Sequence, residues 1–353
     1  VGPALESKLE ALTPRIRQAE KKFHEVIKRK QTIEKVAPDK PALLNEIAAE
    51  TLHDLFDLKV LDPAMGSGHF LVEAVDFVTD HLVQYMNRFL FLTFFFEGTR
   101  RTILQEMERQ QVTIDPARLT DVNLLKRHVL KQCIYGVDLN LMAVELAKVS
   151  LWLDCFTLGA PLSFLDHHLK CGNSLIGARV EETRAAIEMV EKVSRKKVAD
   201  SSAKEYKTIE QSASQFHMFG SLWTGAMLAT DLMKQVGDLP DTTAEQVRQS
   251  RAEYLKAADA LAPFKRILDV YTSRWFGNPD TNLAQPAIQF LRNETNEAWL
   301  RNPKSTRSKL NESNRKIVDI ASIAVIGKRF FLWELFSPAR SQRVPEASAH
   351  RRC

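Results

Sequence analysis

At 353 residues, with 44% hydrophobic and 26% charged positions, the chain has enough apolar material for one large or two modest cores and is not a disordered polymer. Its four cysteines, Cys133, Cys155, Cys171 and Cys353, form no C-x-x-C pair, which argues against a disulfide framework or structural zinc and fits reduced thiols in a cytoplasmic protein. The formal charge of +5 says little by itself, because four arginines against Glu346 beyond Ser337 supply +3 of it.

The chain opens at Val1 rather than Met, so it is expected to start inside a longer reading frame or after processing. Apolar residues at helical spacing over 4–37, among them Leu5, Leu9, Leu12, Ile16, Phe23, Val26 and Ile27, predict a helical front. Lys21, Lys22, Lys28, Arg29 and Lys30 on this front read as a solvated helix face or as phosphate contacts. Pro38 and Pro41 interrupt the pattern, a helix is expected over 42–55, and Lys59-Val60-Leu61 reads as a buried strand ending at Asp62-Pro63. A helix starting near His69 should run through Val72, Val75, Phe77 and Leu82. A long polar connection follows, although Phe94-Phe95-Phe96 within it reads as buried helix. The apolar run from Phe89 to Phe96 is far shorter than the roughly 20 residues of a membrane helix, so no membrane association is expected.

A helix over Val122 to Lys131, a strand from Cys133 to Val137 closing at Asp138, and a strongly amphipathic helix carrying Leu141, Val144, Leu146, Leu151 and Leu153 come next. His168 to Cys171 supplies a third strand. Strand and helix alternating in this way predict an α/β fold with a parallel sheet and right-handed crossovers. Residues 181–326 read as helices joined by polar turns, and Phe330 to Phe336 as packed chain giving way to a Ser, Pro and Arg-rich tail.

Three strings carry chemistry. Asp62-Pro63-Ala64-Met65-Gly66-Ser67-Gly68-His69-Phe70 lies between a strand and a helix. Gly66 and Gly68 can adopt backbone angles closed to other residues and leave no side chain between loop and ligand, while the helix start offers amides to a carboxylate. Asp62 can hold the turn or accept from an ammonium group, and Phe70 offers an apolar surface. The same turn could serve only as a tight connection. Leu71 stands where a dinucleotide fingerprint needs a third glycine, and no Walker lysine follows. Gly136-Val137-Asp138-Leu139-Asn140 again ends a strand in an acid, which can bind ribose hydroxyls or cap the next helix. Lys170-Cys171-Gly172-Asn173-Ser174-Leu175-Ile176 brings an amide side chain with both a donor and an acceptor, suited to an adenine edge or to an ordinary turn. His167 and His168 lack metal-ligand spacing relative to Cys171, and no metal is expected.

Over Leu61 to Phe70, Tyr135 to Leu153 and Pro161 to Gly177 the chain resembles the large bacterial DNA adenine-N6 methyltransferases of type IIG restriction-modification and related phage-defence systems. The resemblance implies a Rossmann-like class I methyltransferase fold, here with its first three parallel strands. It also implies S-adenosyl-L-methionine as cofactor and double-stranded DNA as partner of the complete enzyme. The methionine moiety would lie on Asp62, Pro63, Ala64, Gly66, Ser67, Gly68 and Phe70, the ribose on Asp138 and Leu139, and the adenine on Asn173 and Ser174. Val1 to Leu5 looks like the tail of the family's N-terminal cofactor segment, whose Tyr-Thr-Pro half is missing. The implied organisation is a helical front over 1–57, a cofactor-binding part over 58–177, a helical insertion over 178–329 and a tail over 330–353.

The chain departs from the family in catalysis. These enzymes flip the target adenine and hold its amino group with an Asn-Pro-Pro-Tyr loop. No Pro-Pro occurs here, and Gly277-Asn278-Pro279 continues with Asp280 and follows no strand. No catalytic residue is therefore assigned, a frameshift or truncation is expected near Leu335, and weak or no methyl transfer is expected of this chain alone. The missing fourth strand would leave the edge at Lys59 to Leu61 unpaired and prone to association. An RNA or protein amide N-methyltransferase, and a non-catalytic cofactor-binding subunit, remain open. DNA target, nuclease content and oligomeric state are not encoded legibly.

Overall fold

The structure, a computed structural model, describes residues 1–31, 51, 53–111, 119–183, 185–186, 229, 231–237, 239, 241–277, 284–292 and 296–336. The expected helix over 42–55 is described only at its end. The tail beyond 336 and the string at 278–280 lie outside the described residues. The chain divides into two compact units: Val1–Lys170 with Val236–Ala252, and Cys171–Gln235 with Glu253–Cys353.

The first unit begins with helix α1, Gly2–Gln31. Leu5, Leu9, Ile16 and Phe23 recur at helical spacing and are all buried. Pro14 lies inside this helix and has no N–H to donate. The adjoining turn is held from the side: the Leu9 carbonyl accepts from Thr13 Oγ1 at 2.7 Å and from Tyr85 Oη at 3.1 Å. Tyr85 belongs to α2, His69–Met86, so the same bond fastens the two helices together.

Strand β1, Val60–Asp62, pairs in parallel with β2, Ile134–Asp138, in the register Val60↔Ile134, Leu61↔Tyr135 and Asp62↔Gly136. With β3, Leu169–Cys171, they form a small parallel sheet in the order β1-β2-β3. β1 is thus a terminal strand of the sheet. Among the described elements its strand partner is β2.

The expected polar connection after α2 is largely helical among its described residues. A 3₁₀ turn, Leu90–Thr93, leads into α3, Phe94–Arg109, which buries Phe96, Ile103 and Met107. Those three are seven and four residues apart, so a single apolar stripe sits beneath the charged residues that dominate the local composition. Helix α4, Asp121–Cys133, is capped by the Thr120 hydroxyl, which accepts from the Asn123 amide at 3.3 Å. Its Leu124, Leu125, Val129 and Leu130 join Leu71, Val75, Val78 and Leu82 of α2 in one core.

Helix α5, Leu141–Asp154, departs from expectation. Val144, Ala147 and Leu151 face the core, but Leu141, Leu146 and Leu153 are 57%, 55% and 72% exposed. The helix is apolar on several faces, so counting leucines overstates its amphipathicity.

Val236–Ala252 returns to the first unit through Asp241. This fully buried carboxylate pairs with Lys131 Nζ at 2.7 Å and accepts from Ser250 Oγ at 2.6 Å and the Phe164 amide at 3.0 Å. Three partners offset the cost of taking the charge out of water. Helix α6, Ala244–Ser273, starts here and ends in the second unit.

Among its described residues the second unit is helical apart from Cys171, which ends β3, and one bridge. The later part of α6 contributes Phe264, Ile267, Leu268 and Tyr271 to its core. Helix α7, Ala284–Arg292, and the short α8, Glu297–Arg301, add Phe290 and Trp299, whose rings meet edge to face at 5.6 Å. A turn of helix α9, Pro303–Thr306, precedes α10, Glu312–Lys328, which buries Ile317, Val318 and Ala321. Phe330 forms an isolated parallel bridge with Asn173, and α11, Trp333–Phe336, follows. Among the described residues no helix is long and apolar enough to cross a membrane.

Candidate functional site

Two of the three singled-out strings meet in the first unit. The register that pairs Asp62 with Gly136 sets the carboxyl ends of β1 and β2 side by side, so the loop leaving each strand emerges at the same sheet end. The Gly66 amide donates to Asp138 Oδ2 at 2.9 Å, and the Met65 amide donates to the Val137 carbonyl at 3.0 Å. The loop after the first strand is therefore fastened directly to the acid that ends the second.

Within the loop Asp62 Oδ1 accepts from the Ala64 amide at 3.0 Å, which turns the chain around Pro63. Holding the turn is thus one role Asp62 fills. Gly66 and Gly68 both have positive φ, +53° and +86°. A Cβ on Gly66 would meet nothing within 4 Å, whereas one on Gly68 would lie 3.0 Å from Ala147 Cβ on α5. Gly66 faces open space, and Gly68 allows close approach of loop and helix. Ser67 lies between them, half-buried, and Phe70 follows, 51% exposed. Gly68 is also the N-cap of α2, which has no side-chain cap and no acid in its first turn. Such a helix start presents donor amides and a partial positive charge.

The helix-cap alternative for Asp138 does not hold. Asn140 Oδ1 caps α5 by accepting from the Met142 amide at 3.0 Å, while Asp138 Oδ1 accepts from the Asn140 amide at 2.7 Å. Each carboxylate oxygen of Asp138 thus has one backbone donor and a second lone-pair site beyond it. Leu139, next in chain, is 52% exposed.

From Cys171 onward the third string lies in the second unit. Asn173 Oδ1 accepts from the Leu175 amide at 3.1 Å, and the Asn173 amide donates to the Arg329 carbonyl at 2.6 Å. The Ser174 carbonyl accepts from Trp333 Nε1 at 2.9 Å, and the Ile176 carbonyl accepts from the Phe331 amide at 2.8 Å. A Cβ on Gly172 would lie 2.7 Å from the Phe331 ring. The Asn173 loop is thus braced by the Phe330–Trp333 segment, of which Phe330, Phe331 and Leu332 are buried and Trp333 is half-buried.

Three residues that shape the first loop carry no chemistry in sequence. Met65 is buried, Ala147 meets Gly68, and a side chain on Gly136 would overlap Met65 Sδ and lie 2.8 Å from Leu71 Cδ1. A glycine inside a strand is the one signal that could have marked this close approach.

His167 and His168 are buried, with ring centroids 3.9 Å apart, and His168 lies 4.0 Å from the Tyr135 ring. Burial, then neighbouring positive charge, drives the pKa of each well below the ordinary imidazole value. Among the described residues no group of three or more His, Cys, Asp or Glu side chains is placed to hold a metal ion.

Comparison with known proteins gives one informative likeness. Over 135 residues the chain is 30% identical to a protein of Methanocaldococcus jannaschii named as a putative type II restriction enzyme and methyltransferase. The likeness covers 36% of this chain and 9% of that protein, so the chain spans under a tenth of its relative. No family model and no solved structure matches the chain.

Proposed function

We propose that this chain is the S-adenosyl-L-methionine-binding part of a DNA adenine-N6 methyltransferase of a restriction-modification or phage-defence system, built on a Rossmann-like sheet. The observation that carries the reading is the bond from the Gly66 amide to Asp138. It brings a glycine loop and a strand-end acid to one sheet end, where α/β folds bind nucleosides. The likeness to a protein named for restriction and methyltransferase supports the same class.

The residues fit such a cofactor. The open space at Gly66 leaves room for a ligand against the loop, and the uncapped start of α2 suits its carboxylate. Asp138 has lone pairs left for two ribose hydroxyls. Exposed Phe70 and Leu139 provide apolar surface beside these groups in the chain. Asp62, Pro63, Ala64, Ser67 and Gly68 would complete the methionine end. When bound, the cofactor supplies a sulfonium-activated methyl group. The chain's own residues bind and orient it; the target amine needs acceptors of the Asn-Pro-Pro-aromatic type, a string this sequence lacks. The chain alone is therefore expected to hold cofactor without efficient transfer.

Photolabelling with methyl-tritiated S-adenosyl-L-methionine, followed by peptide mapping, tests this reading. Label is expected in peptides spanning 62–70 or 138–140 and should be displaced by unlabelled cofactor but not by NAD or ATP. Label distributed without preference, or displaced by ATP alone, would overturn it.

A further inference from the structure

The chain's formal charge of +5 is spread unevenly. Residues 301–316 hold six cations, Arg301, Lys304, Arg307, Lys309, Arg315 and Lys316, against the single acid Glu312, so this stretch alone is +5 and the rest of the chain sums to zero. All six are exposed. Three are balanced: Arg301 pairs with Glu297 at 2.8 Å, Arg307 with Asp319 at 2.5 Å and Lys316 with Glu312 at 3.1 Å. Arg315 donates to the Leu310 carbonyl at 3.0 Å, which fixes its position without neutralising it. Lys304 and Lys309 have no acid in ion-pair reach among the described residues. A net surplus of three positive charges thus remains on this surface.

The surface is built rather than loose. Leu300, Leu310 and Ile317 are buried beneath it, Asn311 Oδ1 caps α10 by accepting from the Asn314 amide at 2.8 Å, and Asn314 Nδ2 donates to Asn296 Oδ1 at 3.1 Å. Between the cations stand Asn302, Ser305, Thr306, Ser308 and Ser313. Lysine and arginine interleaved with small hydroxyl and amide side chains are the donors that proteins set against sugar-phosphate backbone, whereas base reading needs side chains projecting into a groove.

We infer that the surface carrying Lys304, Lys309 and Arg315 docks on the sugar-phosphate backbone of duplex DNA, holding it without reading its sequence. The choice of DNA among polyanions rests on the methyltransferase reading; the charged surface itself does not. Each neutralised phosphate releases condensed counterions, so every contact contributes about 0.9 to the slope of log affinity against log salt.

The test is fluorescence anisotropy of a labelled duplex with the full chain over a salt series. Lys304→Gln with Lys309→Gln should weaken binding on the order of tenfold near 0.1 M salt and lower the slope by about 2. The same change should appear for unrelated duplex sequences. Lys21→Gln with Lys22→Gln, which removes equal charge from the exposed face of α1, should leave both quantities near wild type. Equal losses in the two double variants, no loss in the first, no measurable duplex binding by the wild type, or equally tight binding of a poly-glutamate peptide would each overturn the inference. Because no cofactor is present in this assay, failure of cofactor binding leaves its outcome intact, and the converse holds for the photolabelling experiment.

Discussion

The Gly66 amide and the Asp138 carboxylate, 72 residues apart in sequence, meet at 2.9 Å. Asp138 also receives the Asn140 amide at 2.7 Å, so one side chain fixes both loops at the sheet end. Asp138→Ala removes the acceptor for two backbone donors and should cost about 2 kcal/mol of stability. Asp138→Asn retains one acceptor oxygen and should fold with a smaller loss. Urea unfolding of the two variants checks the order; equal stability of Asp138→Ala and wild type would contradict it.

The loop glycines should not be interchangeable. Gly68→Ala combines φ +86° with a contact of 3.0 Å to Ala147, and is expected to destabilise by about 2–3 kcal/mol. Gly66→Ala meets open space at φ +53° and should cost about 1 kcal/mol. Thermal melts of both variants decide the matter, and a Gly66→Ala as damaging as Gly68→Ala would show that the space at Gly66 is not open.

The apolar residues of α5 should fall into two classes. Leu151 is fully buried, and Leu151→Ala is expected to cost about 2–5 kcal/mol. Leu146→Gln and Leu153→Gln alter exposed positions and should stay within about 0.5 kcal/mol of wild type while reducing self-association. Denaturant titration and light scattering measure the two effects.

Acid should destabilise the first unit through its histidines. Burial, aided by the charges of Arg127 and Lys131, lowers the His128 pKa to about 3, and His167 and His168 lie well below the usual range. Each stays neutral in the fold, whereas the unfolded chain takes up a proton near pH ~6.5. The unfolded state therefore binds more protons below that pH. Their contribution is intact above ~6.5 and is lost as pH falls toward the folded values, at about 1.4 kcal/mol per pH unit for each histidine. Urea midpoints should drop between pH 7.5 and 5.5, and less steeply in a His167→Gln, His168→Gln variant. Identical slopes would rule out this origin.

Local features of the fold were legible where the sequence signal is local. Lys59 to Asp62, Cys133 to Asp138 and His168 to Cys171 are short stretches ending in turns, and each lies within a residue or two of a strand. The helix at Phe94 was half-hidden because Phe96, Ile103 and Met107 are separated by charged residues on its outer face. Long-range features were not legible. Nothing near Asp241 announces that its carboxylate pairs with Lys131, since that pairing depends on chain closure across 110 positions. The two glycines, Asp62 and Asp138 of the candidate site could be picked out because strand ends and glycines are local marks. The roles of Gly136, Met65 and Ala147 depend on which side chains meet in the folded core. That Asn140 rather than Asp138 caps α5 turns on a shift of two residues within one polar turn.

The most direct test of the account is calorimetric titration of the purified chain with S-adenosyl-L-methionine, alongside Asp138→Asn, which is expected to keep its fold. Saturable binding at one site per wild-type chain is expected, with affinity at least tenfold lower in Asp138→Asn. No binding by a folded wild-type chain, or undiminished affinity in the variant, would contradict it.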